Sequence, residues 1–483
     1  MKILLTGATG YIAQRLLPVL LEDGHHVVCC VREKGRFDLQ KYKGYNLDLI
    51  EVDFLEAQTL HVIPEDLDAA YYLLHSMSGE KGDFSGLEQK TALNFRDRIE
   101  QTTTAQVIFL SGIVNSEQLS KHLNSRQQVE KTLASKVYAL TTLRAGIIVG
   151  SGSASFEIIR DLVEKLPVMI APKWLNTRCQ PIAIRDVLKF LFGVLLKDST
   201  YNRSFDIAGP EVLTYKDMLL RFAKARGLKR RILIVPVMTP KLSSYWLYFV
   251  TSVSYPLARN LVESMKVDVV AKPNDLKALL SIEPIKYEEA IMLAFGKIEQ
   301  NQVISSWRDA MNVDAYDRNL AKLIEVPDDG CFKDRRSAPV KDLESAIQAI
   351  WSIGGEKGWY YANWLWDLRG FIDKLFGGVG LQRGRTSINQ LFPGRVIDFW
   401  RVILANKDEK RLLLYAEMKL PGEAWLEFKI DDNQVLHQTA TFRPVGISGR
   451  LYWYAVFPFH AFIFQGMLNN ILSAAKKQPE KLL

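Results

Sequence analysis

Six short stretches rich in apolar residues punctuate the first 150 positions: Lys2–Thr6 (KILLT), Val27–Val31 (VVCCV), Leu47–Val52 (LDLIEV), Ala69–Leu74 (AAYYLL), Gln106–Ser111 (QVIFLS) and Ala139–Val149. Apolar runs of this length read as strands buried on both faces, as in a parallel sheet. Between them lie segments with helical spacing. Gln14–Glu22 carries Leu16, Leu17, Leu20 and Leu21 and stops at Gly24, and Leu87–Gln101 and Leu119–Ser135 follow later. Strand and helix alternate, which predicts an α/β, doubly wound parallel sheet with helices on both faces.

The pattern changes past the middle of the chain. Asp328–Val340 (DDGCFKDRRSAPV) is polar and turn-rich, a natural boundary. Beyond it Trp351, Trp359, Tyr360, Tyr361, Trp364, Trp366, Phe371 and Phe376 crowd together. Alternating runs follow at Val396–Ala405, Arg411–Leu420 and Ala424–Ile430, then Val435–Arg443, and last a helix from about Pro458 to Lys476. Strands followed by one apolar helix predict an α+β layer. The expected domains are therefore 1–330 and 340–483. Leu242–Val253 is aromatic and apolar and reads as core, with an exposed patch as the alternative.

The turn after the first strand carries the candidate chemistry. In Gly7-Ala-Thr9-Gly10-Tyr11-Ile12-Ala13, Gly7 permits a tight turn, Gly10 lets phosphates approach the backbone, and Ala13 lets helix and strand pack. A strand, glycine turn and helix in this order place a pyrophosphate on N–H groups at a helix N-terminus. An acidic residue at the end of the second strand would hold a ribose 2′-OH. Arg32 stands there, with Lys34 and Arg36 nearby, which favours NADP(H) over NAD(H).

Composition narrows the class. The 483 residues are 48% hydrophobic and 24% charged, ordinary for a globular chain of more than one domain. A formal charge of +8 suits an anionic cofactor or a peripheral contact with an anionic membrane. No block of like charge resembles a nucleic-acid footprint. Cys29, Cys30, Cys179 and Cys331 show no metal-ligand spacing, so no metal is expected, and the pattern reads as reduced and cytoplasmic. A strand starting at residue 2 leaves no room for a signal peptide, and Ile232–Ala258 is too broken by prolines to span a bilayer.

Several segments together resemble the extended, atypical short-chain dehydrogenase/reductases, particularly their NmrA-like, NAD(P)H-binding branch. They are TGATGYIA, the strand-end Asp53, FLSGIV at 109–114, LRAGIIVG at 143–150, QPIAIRDV at 180–187 and FDIAGPEVLTY at 205–215. The resemblance covers about the first 300 residues and implies a Rossmann-like fold with a small substrate lobe at about 211–300. It implies that Asp53 contacts the adenine and that Leu74, His75 and Ser76 line the ribose and nicotinamide. The family's Tyr-x-x-x-Lys pair is replaced by His122 and Arg126, and its serine by Gly112, with Ser111 one residue earlier. His122 could serve as a general acid and Arg126 could hold ribose or phosphate; alternatively the set has decayed and both are ordinary helix residues. On the substrate side Arg178 is a candidate anion contact, with a packing salt bridge as the alternative, and Gln180 a polar contact.

The C-terminal region resembles the START-like (SRPBCC) helix-grip superfamily, and more closely an uncharacterised domain fused to such reductases, on its strand order and on HQTATFRPVGISGRLYWYAVFPFHAFIFQGM. That resemblance implies an apolar cavity between sheet and long helix; a filled core is the alternative. Two functions compete. One is an NADPH-dependent oxidoreductase of a bulky apolar carbonyl, quinone-like or lipid-like small molecule. The other is a catalytically silent NADP(H)-binding sensor or scaffold. Oligomeric state is not legible.

Overall fold

The computed structural model describes residues 1–37, 39–74, 84–113, 121–235, 244–245, 247, 259, 262–299, 326, 331–376, 378, 380 and 391–475. The chain divides into two compact units, one over Met1–Thr251 and Tyr255–Ala315, the other over Ser252–Ser254 and Tyr316–Leu483.

The first unit opens with β1 (Lys2–Leu5), α1 (Ala13–Glu22), β2 (His26–Val31), β3 (Leu47–Glu51), β4 (Ala69–Tyr72) and α2 (Phe84–Ile99). It continues with β5 (Gln106–Gly112), α3 (Lys121–Leu133), β6 (Ala139–Ala145), β7 (Ile148–Val149), α4 (Ala154–Lys165) and β8 (Val168–Pro172). Then come β9 (Arg178–Cys179), β10 (Ile182–Ala183), α5 (Ile184–Gly193), β11 (Arg203–Ile207), β12 (Leu213–Thr214), α6 (Tyr215–Ala225), β13 (Arg231–Val235), α7 (Leu276–Leu280) and α8 (Tyr287–Glu299).

Seven strands form one parallel sheet in the order β11-β6-β5-β4-β1-β2-β3. Period-two geometry explains why its strands read as unbroken apolar runs. Ile3, Leu5, Val27, Cys29 and Val31 pack with Leu16, Leu17 and Leu20 of α1 and Val187, Phe190 and Leu191 of α5. Leu4, Val28 and Cys30 face the other way, toward Phe95 of α2 and Val129 and Leu133 of α3. Both faces are core, so every strand position favours an apolar residue, and each buried Leu or Val contributes about 1.5–3 kcal/mol.

The expected strand over Ala139–Val149 is two, β6 and β7. Gly146 divides them, and a Cβ there would stand 2.7 Å from the Gln180 carbonyl oxygen, so only glycine lets the chains approach. Phe156 of α4, Phe222 of α6 and Phe295 of α8 pack together in tilted and edge-on contacts, ring centroids 5.3–5.6 Å apart. Thr214 and Asp217 form a capping box that starts α6. Most of Leu242–Val253 lies outside the described residues.

The second unit contains β14 (Phe332–Pro339), α9 (Leu343–Ile350), α10 (Asn363–Leu375), β15 (Val396–Ile397) and β16 (Trp400–Asn406). β17 (Arg411–Ala416), β18 (Gly422–Ile430), β19 (Val435–Pro444) and α11 (Gly446–Ala475) complete it. Its sheet is antiparallel in the order β14-β19-β18-β17-β16-β15. Two boundaries differ from expectation. The stretch read as a polar linker contains β14, paired along its whole length with β19; it alternates half-buried and exposed positions, as an edge strand does. α11 starts twelve residues before Pro458 and carries that proline inside it. The core joins Trp359, Trp366, Phe399 and Trp400 to Phe464, Met467, Leu468 and Ile471 of α11. Trp359 donates its indole N–H to Asp398 at 2.7 Å, and Arg401 forms a buried ion pair with Glu417.

Candidate functional site

In the first unit the strand order reverses between β1 and β4. Successive strands lead away to β2 and β3 on one side and to β5, β6 and β11 on the other. The crevice at the carboxyl ends of β1 and β4 is where an open α/β sheet receives a ligand. Thr6 closes the two strand ends: its hydroxyl donates to the Tyr71 carbonyl at 2.9 Å and accepts the Leu73 N–H at 3.0 Å.

Gly7 follows with φ +63°, a left-handed conformation, and a Cβ on it would meet the Leu73 carbonyl oxygen at 3.0 Å. Gly10 donates to the Gly7 carbonyl at 2.7 Å, and a Cβ on Gly10 would stand 3.0 Å from that same oxygen. The turn is therefore drawn tight, and Ala13 is buried where α1 meets the sheet. The N–H groups of Thr9, Tyr11 and Ile12 take no acceptor among the described residues. α1 has neither a side-chain cap nor an acidic residue in its first turn. Orphan donors and an uncompensated helix dipole at a sheet's switch point fit a pyrophosphate.

Arg32, just past β2, and Asp53, just past β3, come together: Arg32 Nε lies 3.9 Å from Asp53 Oδ1, and each side chain is about one-third exposed. Asp53 Oδ1 also accepts the Leu55 N–H at 2.9 Å. Leu74 and Ser111 stand past the ends of β4 and at the end of β5, with Ser111 buried. His75 and Ser76 lie outside the described residues. His122 occupies the first turn of α3, and its side chain is outside them as well.

Arg126, one helical turn further on, is buried. Its guanidinium donates to the Leu74 carbonyl at 3.3 Å and the Leu110 carbonyl at 3.1 Å, and lies over the Phe109 ring. Burial works against its charge while Glu88 supports it, and Glu88 is in turn hydrogen-bonded by Ser125. Arg126 thus braces the ends of β4 and β5. Arg178 donates twice to Asp268 Oδ2, at 2.9 and 2.7 Å, the packing salt bridge that its sequence context also allowed. Gln180 uses both ends of its amide, donating to the Gly209 carbonyl at 2.7 Å and accepting the Ala271 N–H at 3.1 Å.

Two residues outside the sequence-based set shape the turn. Arg15 donates to the carbonyls of Tyr11 and Ser151, at 3.0 and 2.9 Å, with its guanidinium over the Tyr11 ring. Gly150 makes room for Tyr11: a Cβ there would lie 2.6 Å from the phenol oxygen. Burial pushes the Tyr11 hydroxyl up to about 12, so it stays neutral. The signal for both was spacing: Arg15 lies four residues after Tyr11 on α1, and Gly150 ends LRAGIIVG.

The second unit holds a separate feature, a cavity of about 310 Å³ between sheet, α10 and α11, walled by aromatic and aliphatic side chains including Trp366, Trp400, Phe442 and Trp453.

These features define a Rossmann-like domain. Residues 7–152 match a family described as NAD(P)H-binding, and residues 327–467 match one described as a protein of unknown function, DUF2867. The chain is similar to the chloroplastic divinyl chlorophyllide a 8-vinyl-reductase of Arabidopsis thaliana, 23% identical over 254 residues, 49% of this chain and 60% of that protein. The enzyme of the same name from Oryza sativa subsp. indica is 22% identical, over 49% of this chain and 61% of its own length. The chain thus spans about 60% of those two relatives. A nucleoside-diphosphate-sugar epimerase from Staphylococcus aureus superposes with a TM-score of 0.50 at 15% identity, over 60% of this chain and 99% of that one, a likeness of fold alone.

Proposed function

We propose that the protein is an NADP(H)-dependent oxidoreductase of a bulky apolar carbonyl or quinone-like molecule. The observation that carries this reading is the Gly7–Ala13 turn at the β1–β4 crevice, whose Thr9, Tyr11 and Ile12 N–H groups find no acceptor among the described residues. When bound, the cofactor would supply hydride. Arg32 would meet a 2′-phosphate, with Asp53 holding the guanidinium and facing the adenine side. Ser111, at the end of β5, would border the nicotinamide. The relatives named above are reductases of a vinyl group on divinyl chlorophyllide a, which supports a reductase with a bulky acceptor. In the second unit a START-like helix-grip fold would hold the apolar partner, a reading supported by its antiparallel sheet, long C-terminal helix and cavity.

A second reading is favoured by Arg126. With its guanidinium committed to two backbone carbonyls, the slot of the family's lysine supports a cofactor-binding protein without turnover.

NADPH fluorescence titration of the full-length protein tests the cofactor assignment. Gly10→Val should weaken binding at least tenfold by blocking phosphate approach. Arg32→Ala should weaken NADPH by on the order of tenfold, the worth of one charge-assisted contact, and leave NADH nearly unchanged. Unaltered affinity in folded Gly10→Val would overturn the placement, and equal losses for both cofactors would overturn the preference for NADP.

A further inference from the structure

The second unit presents an apolar face that its own fold leaves uncovered. On α10, Trp364, Leu368 and Phe371 recur at helical spacing and stand exposed, Trp364 at 65%. On α11, Leu451 (66%), Tyr454 and Phe459 do the same. Leu368 and Phe459 also line the 310 Å³ cavity, so the cavity opens through this face.

The first half of α11 is therefore apolar outward, while its second half is apolar inward, with Phe464, Met467, Leu468 and Ile471 in the core. Among the described residues no single helix is long and apolar enough to cross a membrane, and the two halves of α11 are bent by 44°. With its second half packed in the core and its first half apolar outward, this helix is placed to lie on a bilayer. Charge agrees in part: α11 contains the exposed Arg450 and no acidic residue from Gly446 to Ala475, while Arg443, just before it, pairs with Glu423 at 3.5 Å. On α10, Asp367 and Arg369 offset each other. Trp and Tyr at such a boundary suit the layer between headgroups and acyl chains.

We propose that the second unit docks on an anionic lipid bilayer through the outer face of α10 and the first half of α11, with the cavity mouth turned to the lipid, so that an apolar ligand enters from the bilayer. A bilayer fits better than a second copy of this chain because the face carries Trp and Tyr suited to the headgroup layer, has the exposed Arg450 at its edge and is continuous with an apolar cavity. The proposal stands whether or not the first unit turns over a substrate.

Flotation of the full-length protein with vesicles of phosphatidylcholine and phosphatidylglycerol tests it. Wild type should float with the mixed vesicles and bind pure phosphatidylcholine more weakly. Leu451→Glu and Phe371→Glu, both at exposed positions, should each reduce binding at least about tenfold, and Val137→Glu, exposed on the first unit, should not. Brominated acyl chains should quench tryptophan emission on docking, less so in Trp364→Phe. NADPH affinity, measured alongside, should be unchanged throughout. Absence of flotation, or flotation of both variants equal to that of wild type, overturns the proposal. So does light scattering that shows a lipid-free dimer split by Leu451→Glu, since the face would then belong to a second copy.

Discussion

His460 sits between Trp453 and Phe464, ring centroids 5.0 and 4.9 Å away, with its Nδ1 buried and unpartnered among the described residues. Burial pushes its pKa down to about 4, against an opposing pull from Asp334. The native state thus binds the imidazole neutral while the unfolded chain protonates it near 6.5. Between those values the unfolded state holds more protons, so stability rises with pH and is lost on acidification. The second unit should lose about 2 kcal/mol between pH 7 and pH 5 from this group alone. Urea unfolding followed by tryptophan emission checks it. In His460→Phe the pH dependence should flatten, and an unchanged slope would assign the effect to other groups.

At the scale of elements, α3 carries two residues with different expected roles. Arg126→Met should leave two carbonyls and Glu88 without their donor or counter-charge and cost about 2–3 kcal/mol of stability. If the protein is a reductase with a histidine acid, His122→Phe should lower NADPH-dependent turnover by about 10²–10⁴-fold. Stopped-flow NADPH oxidation separates the two, and an unaffected chemical step in His122→Phe would remove the histidine from the chemistry. The elements themselves were largely legible. Ile3, Leu4 and Leu5 are apolar because both faces of β1 are core, and Gly7 and Gly10 announce the turn because backbone must meet backbone. Less legible were residues whose partners are distant in sequence. Arg178 and Gln180 look like free polar groups until Asp268, Gly209 and Ala271 arrive from far along the chain. The polar stretch at 332–339 reads as linker because nothing local reveals β19 as its partner a hundred residues later.

For the whole molecule, two units with separate cores should unfold separately. Calorimetry should resolve two transitions. NADPH at a hundred times its dissociation constant should stabilise the first unit by about 2.7 kcal/mol and leave the second where it was. Acidification to pH 5 should do the reverse, lowering chiefly the second. A single transition moved as one by both treatments would mean that the units unfold cooperatively.

The pairing of β14 with β19 has a consequence for synthesis. The second unit's first strand lies beside its last, so its sheet cannot close until β19 has left the ribosome, and α11, which completes the core, emerges later still. The first unit's sheet, by contrast, is complete once β11 is made. Trp359 and Trp366 wait for the translation of about a hundred residues, and Phe399 and Trp400 for about seventy, before Phe464, Met467, Leu468 and Ile471 can cover them. The nascent second unit is thus the stage at which this protein most needs a chaperone.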